Sequence, residues 1–279
     1  MIGFGKSFIE LSTRERAIAL LDAGTARELL GPFDRIESPW LEMQGVVPES
    51  DDGTVVVRGN IENVSAVVIA IVGAFQGGGT GEVSGAKIAG ALDLAARDAE
   101  QGTPTRAVLL LETGGVRLQE ANLGLAATAD VHAAIVALRR YVPVVGVISG
   151  MVGCFGGMSI AAALCSYMIM TRQGRLGLNG PQVIESNAGV AEFDASDQQL
   201  IWAVDGGEQR FSSALVDALV PDDTEDIRGA VIAAFRSGIP EPHRSSAVTS
   251  YVAALSTADV SEQLEPAAAR TLLARLKPS

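Results

Sequence analysis

The sequence predicts an α/β fold, and three observations carry that prediction. Apolar runs without polar alternation, such as SAVVIAIVGAF (65–75) and RAVLLLE (106–112), are strands buried on both faces. Segments with helical spacing separate them, as at Ile88, Leu92 and Ala95 in SGAKIAGALDLAARDAE (84–100). The main runs also end in glycine clusters, where a strand hands over to a helix. Such alternation implies a sheet covered on both faces and joined by right-handed crossovers. A chain of 279 residues, 48% hydrophobic and 19% charged, can fill one such core and carry extensions.

Taken in order, residues 13–31 read as two short helices, the second opened by the capping box Thr25-Ala26-Arg27-Glu28 after Gly24. PFDRIESPW and PESDDG are loops around Trp40. TVVVRG, from residue 54, is the first strand, followed by strand 65–75, helix 84–100 and strand 106–112. Helix LQEANLGLAATADVHAAIVALRR (118–140), strand VPVVGVIS (142–149), an apolar helix (157–165) and strand SYMIMT (166–171) complete the series. Beyond residue 180 the pattern thins, with a helix in DIRGAVIAAFRSGIP (226–240) stopped by Gly238 and Pro240. The Ala-rich TADVSEQLEPAAARTLLARL predicts a helical extension. The main domain is therefore expected over 1–240, with its core at about 54–220, and the extension over 241–279.

A formal charge of −12 argues against a nucleic-acid partner, which requires Lys and Arg against phosphates. The two cysteines, Cys154 and Cys165, lie in apolar surroundings and read as reduced core residues. MIGFGKSFIELSTRER lacks the apolar region of a signal peptide. The most apolar stretches, near 65–75 and 143–170, are too short or too interrupted by glycine to span a bilayer. A cytoplasmic protein without membrane contact is expected.

Three glycine clusters stand out: GAFQGGGTGEVSG (73–85), ETGGVR (112–117) and GMVGCFGGMS (150–159). Each follows an expected buried strand and precedes a helix. In α/β sheets the carboxyl ends of strands carry the ligand site. Glycine-rich exits at one sheet edge expose main-chain N–H groups and helix N-termini to a shared crevice. Any one cluster is better explained by a tight turn or close helix–sheet packing; three at equivalent places favour a substrate oxygen held by main-chain donors.

Other chemistries fit less well. In Gly77-Gly78-Gly79-Thr80-Gly81-Glu82 a Glu falls where a dinucleotide fingerprint needs its third glycine, and Gly-Lys-Ser at 5–7 lacks the upstream glycine of a P-loop. His132 and His243 are far apart and no cysteine pair has ligand spacing, so no metal site is expected. Gly157-Met158-Ser159-Ile160-Ala161 approaches a nucleophile elbow, which keeps a serine hydrolase using Ser159 as an alternative. It requires one of the two histidines as base; otherwise Ser159 merely packs at a helix start.

Thr113-Gly114-Gly115-Val116-Arg117-Leu118-Gln119-Glu120, Phe155-Gly156-Gly157 and Gly180-Pro181-Gln182-Val183-Ile184-Glu185 occur in that order. Together they resemble the carboxyltransferase family of the crotonase superfamily, the family of acyl-CoA carboxylase β subunits. ELSTRERAIALLDAGT (10–25) and LVDALVPDDTEDI (215–227) are similar to its opening and closing segments, so the resemblance spans about residues 10–240. It implies a crotonase-like (ClpP/crotonase) fold of ββα superhelix type with helical N- and C-terminal extensions. The chain lacks the four-cysteine zinc ribbon of bacterial acetyl-CoA carboxylase β subunits. It is about half the length of fused propionyl-CoA-type enzymes. Val116, Cys154, Phe155 and the GAFQGGGTGE loop most resemble the β subunit of biotin-independent malonate decarboxylase.

That resemblance implies decarboxylation of a malonyl thioester on an acyl-carrier protein, giving acetyl thioester and CO2, with a γ subunit as partner. It implies no biotin and no permanently bound cofactor. The carrier's arm is a CoA-derived prosthetic group of the phosphoribosyl-dephospho-CoA type. A biotin-dependent acyl-CoA carboxyltransferase β subunit is the alternative within the family. Matched to the family's motifs, one oxyanion donor falls at Gly115 or Val116 and the other at Gly156 or Gly157. Gln76, Gly77, Gly78, Gly114, Arg117 and Phe155 are expected to bind substrate, with Arg117 alternatively bracing its loop through Glu120.

Overall fold

The computed structural model describes residues 6–257, 259 and 265–274. A seven-stranded sheet runs in chain order: β1 (Arg27–Leu29), β2 (Thr54–Ile61), β3 (Val64–Ile71), β4 (Arg106–Leu110), β5 (Val144–Ile148), β6 (Tyr167–Thr171) and β7 (Ala218–Val220). The first two pairings are antiparallel and the other four parallel. The helices are α1 (Thr13–Ala19), α2 (Glu82–Glu100), α3 (Asn122–Leu138), α4 (Gly157–Leu164), α5 (Pro181–Ala188), α6 (Gln198–Asp205), α7 (Gly207–Ser212), α8 (Thr224–Ser237), α9 (Val248–Leu255) and α10 (Pro266–Ala274).

Alternate strand residues feed two cores. Val67, Ile69 and Ile71 with Leu109 and Leu111 meet Ile88 and Leu92 of α2, Val131 and Ile135 of α3, and Met158 and Ala161 of α4. Ala66, Val68 and Ala70 with Val108 and Leu110 meet Ala17 of α1 and Ile227, Val231 and Phe235 of α8. Both faces are dry, which is why the runs show no polar alternation. Each fully buried aliphatic side chain contributes on the order of 1.5–3 kcal/mol, so most of the burial energy lies in the parallel centre of the sheet and the helices against it.

Three expectations change. The segment from Thr25 is not a helix: β1 pairs with β2, Leu29 opposite Val56, and this pairing overrides the local capping signal. The real capping box is Ser12 with Glu15, at the start of α1. Residues 54–61 and 64–71 form a hairpin through Glu62 and Asn63, both at positive φ (52° and 61°), as tight two-residue turns require. The expected helix 118–140 is broken: a single 3-10 turn, Leu118–Glu120, precedes α3. In the C-terminal region α9 and α10 are helical; residues 258, 260–264 and 275–279 of the expected extension, like residues 1–5, lie outside the described residues. Among the described residues no helix is long and apolar enough to cross a membrane.

Candidate active site

The glycine clusters leave β3, β4 and β5 at the same end of the parallel sheet, and isolated parallel bridges stitch them beyond its edge. Thr80 pairs with Val116, Thr113 with Cys154, and Cys154 with Leu176. The second and third exits come together at Gly115 and Gly156. A Cβ added to either would stand 3.0 Å from the other's Cα, and both have positive φ, +110° and +61°. Only glycine allows that approach.

Main-chain hydrogen bonds reduce the four candidate donors to two. Gly114 N–H donates to Gly77 O at 2.8 Å and Gly115 N–H to Thr113 Oγ1 at 3.0 Å. Gly156 N–H donates to Leu178 O at 2.8 Å and Arg117 N–H to Thr80 O at 2.9 Å. The N–H groups of Val116 and Gly157 have no partner among the described residues. They flank the Gly115–Gly156 contact: a Cβ on Gly156 would lie 3.8 Å from the Val116 nitrogen. Gly157 opens α4, so its N–H carries the partial positive charge of a helix N-terminus. Of the candidate donors, the N–H groups of Gly115 and Gly156 are thus spent within the chain, and those of Val116 and Gly157 are free among the described residues.

Arg117 is not positioned to touch a substrate. It is 2% exposed, with Nη1 at 2.7 Å from Asp52 Oδ1 and 2.9 Å from Glu120 Oε1, and Nε donating to Gly79 O at 3.2 Å. Its guanidinium lies over the Phe75 ring. This is the bracing role: the arginine ties the first glycine loop to the second. Burial pushes the Asp52 carboxyl up against the pull of Arg117. For Glu120 burial also raises the pKa, but the Glu82 N–H, the Ser38 hydroxyl and Arg117 together bring it below its ordinary value.

Phe155 is buried too, its ring packed against the positions of Gly153 and Gly177. At Gly78 the side-chain position is taken by the chain itself, a Cβ there falling 2.1 Å from the Glu112 carbonyl oxygen. Gly77 and Gly114 stay open: a Cβ on Gly77 would meet nothing within 4 Å and one on Gly114 only the Gly77 carbonyl, at 3.2 Å. Gln76 is exposed and accepts a hydrogen bond from Gln119 at 3.2 Å, closing the rim.

Ser159 donates to Gly156 O at 2.7 Å, and neither histidine reaches it: His132 Nε2 sits 2.8 Å from Gly157 O and His243 Nε2 3.0 Å from Cys165 O. The nucleophile elbow is a helix-start contact. Both cysteines are free and buried, with the Cys165 thiol pushed up to about 12 by burial. Residues 175–178, just ahead of the Gly180 motif, carry no signal of their own in the sequence, yet carbonyls there hold the third loop, Arg175 O accepting from Cys154 N–H and Leu178 O from Gly156 N–H.

No family model matches the chain. The malonyl-S-ACP:biotin-protein carboxyltransferase MADC of Malonomonas rubra is 41% identical over 246 residues, covering 85% of this chain and 77% of the relative. The chain belongs to the carboxyltransferase family of the crotonase superfamily. A chain of a Pseudomonas malonate decarboxylase hetero-tetramer, solved in complex with malonate, superposes with a TM-score of 0.94 at 60% identity, over 96% of this chain and 98% of that one. A chain of the Pseudomonas malonate decarboxylase MdcD-MdcE hetero-dimer is 56% identical with a TM-score of 0.77, over 90% and 97%.

Proposed function

We propose that the chain is the β subunit of a malonate decarboxylase that converts a malonyl thioester on an acyl-carrier protein to acetyl thioester and CO2. One observation carries the reading: the unpartnered N–H groups of Val116 and Gly157 flank the same close backbone contact. The bond from Cα to the carboxylate breaks, CO2 leaves, and the electron pair moves into the thioester to give an enolate whose charge lies mainly on oxygen. Two aligned donors stabilise that oxygen more than the neutral carbonyl of the substrate. Protonation at Cα completes the acetyl group.

Gly77 and Gly114 leave space for a slender chain beside the donors, which suits the CoA-derived arm of a carrier. That arm belongs to the substrate; this chain's residues line its path. The γ subunit and the carrier protein are the proposed partners, supported by relatives solved as a hetero-tetramer and a hetero-dimer. The biotin-dependent reading keeps one specific support, since MADC is named for a biotin-protein acceptor. The test is CO2 release from malonyl-carrier by the complex purified with its native subunits, with and without avidin. Avidin-insensitive release is expected; strict dependence on a biotin carrier would overturn the decarboxylase reading in favour of carboxyl transfer.

A further inference from the structure

In loop 150–156, which delivers the Gly157 N–H, main-chain bonds to Thr113 and Leu178 pin residues 153, 155 and 156. Arg175 holds both the main chain at Cys154 and the flank at Met151 and Val152. Arg175 O accepts the Cys154 N–H at 2.8 Å. Its Nη2 donates to Met151 O and, at 3.3 Å, to Val152 O. Close packing fixes the same place: a Cβ on Gly153 would lie 2.8 Å from Arg175 O and 3.0 Å from Arg175 Cβ. The guanidinium lies 4.8 Å from the Trp202 ring centroid and 5.8 Å from that of Phe155, within reach of both π faces. Phe155 directly precedes Gly156, so the cation also anchors the residue that leads into the donor peptide.

Met151 is 71% exposed, and the Val152 N–H has only a long contact, 3.4 Å, to Glu112. Thr113 N–H donates to Gly153 O at 2.7 Å; without the fork of Arg175 the carbonyls of Met151 and Val152 would lose their ties. Lysine could reach one carbonyl but would not reproduce the planar stacking.

We propose that Arg175 is a positioning residue for the Gly157 donor, setting the rate of carbon–carbon cleavage without contacting the substrate. This rests on the decarboxylase reading. Misplacing a catalytic donor by about 1 Å costs about 100-fold in rate.

The test uses Arg175→Met and Arg175→Lys in the complex with its native subunits. It measures kcat and KM for malonyl-carrier, the urea midpoint, and binding of a pantetheine thioether bearing a nitronate, whose anionic oxygens imitate the enolate. Arg175→Met should lower kcat by about 10- to 100-fold with KM little changed, and weaken nitronate binding in step. Arg175→Lys should recover part of both. A merely structural residue would reduce the folded fraction while leaving kcat per folded site and nitronate affinity intact, and that result overturns the proposal. If Arg175→Met does not fold, Arg175→Lys decides alone: unchanged kcat and nitronate affinity refute the role. A parent complex that binds the nitronate but releases no CO2 defeats the decarboxylase reading, while loss of nitronate affinity in the variants still tests Arg175.

Discussion

Gly156 has φ +61° and ψ −145°, a region essentially reserved for glycine. An alanine there would carry about 1–3 kcal/mol of backbone strain and press its Cβ onto Gly115. The two exits would have to part, separating the Val116 and Gly157 donors. We expect Gly156→Ala to lower CO2 release by about 10²–10³-fold, the cost of one lost oxyanion donor, while the complex still assembles. Ser159→Ala, by contrast, removes only a hydrogen bond to the Gly156 carbonyl and should retain most of the activity. Loss of all turnover in Ser159→Ala would revive a covalent serine mechanism; full activity in Gly156→Ala would remove the hole.

At the scale of elements, stability and site geometry meet in buried polar ties between segments. Removing Arg117 would leave Asp52 and Glu120, both under 5% exposed, without their cation. Breaking a buried pair on one side costs about 3–5 kcal/mol, so Arg117→Met should shift the urea midpoint strongly as well as slow turnover. An unchanged midpoint would mean the network carries no load. A second tie, His243, joins the C-terminal segment to the end of α4 by accepting the Ser245 N–H at Nδ1 and placing Nε2 on Cys165 O. Burial holds this imidazole below its ordinary pKa, Arg139 and Arg244 lower it further, and the Cys165 carbonyl and Asp217 oppose. The unfolded chain therefore takes up the proton first as pH falls through about 6.5. Stability contributed by neutral His243 is full above that value and declines below it. His243→Gln should flatten the loss of urea midpoint between pH about 7.5 and 5.5; equal slopes in parent and variant would refute the assignment. The sequence made the central strands legible because only a doubly covered sheet tolerates runs such as VVIAI without alternation. It hid β1, whose exposed Arg27 and Glu28 are strand only by pairing with Arg58 and Val57. The glycine exits were legible because absent side chains are written in the sequence. Which N–H groups stay free was not, since that depends on the rotamer of Thr113, whose Oγ1 takes the Gly115 N–H, and on the Leu178 carbonyl, 22 residues from Gly156, which takes the other. Nor was the burial of Arg117, because its carboxylate Asp52 lies 65 residues away.

Over the whole molecule, the segments that carry or hold the two donors leave large apolar side chains in solvent. Leu118, next to Arg117, is 85% exposed, Met151 71% and Leu178 61%, all on the loops that carry or hold the donors. A hydrogen-bond donor acting on a developing charge is strongest where water is excluded. In the isolated chain, water competes for the Val116 and Gly157 N–H groups, so each donor is worth less than in a closed site. A partner subunit seated over these segments would exclude water from the donors and cover the exposed apolar side chains. We therefore expect the isolated chain to release CO2 from malonyl-carrier at least about tenfold more slowly than the complex, a fraction of one donor's full worth. Titration with the partner subunit should restore the rate to a plateau. Leu118→Asp, a change at a solvent-exposed position that leaves the core intact, should weaken that titration while preserving the urea midpoint of the isolated chain. An isolated chain as fast as the complex would show that the crevice needs no cover, and a Leu118→Asp titration matching the parent's would place the partner on another face.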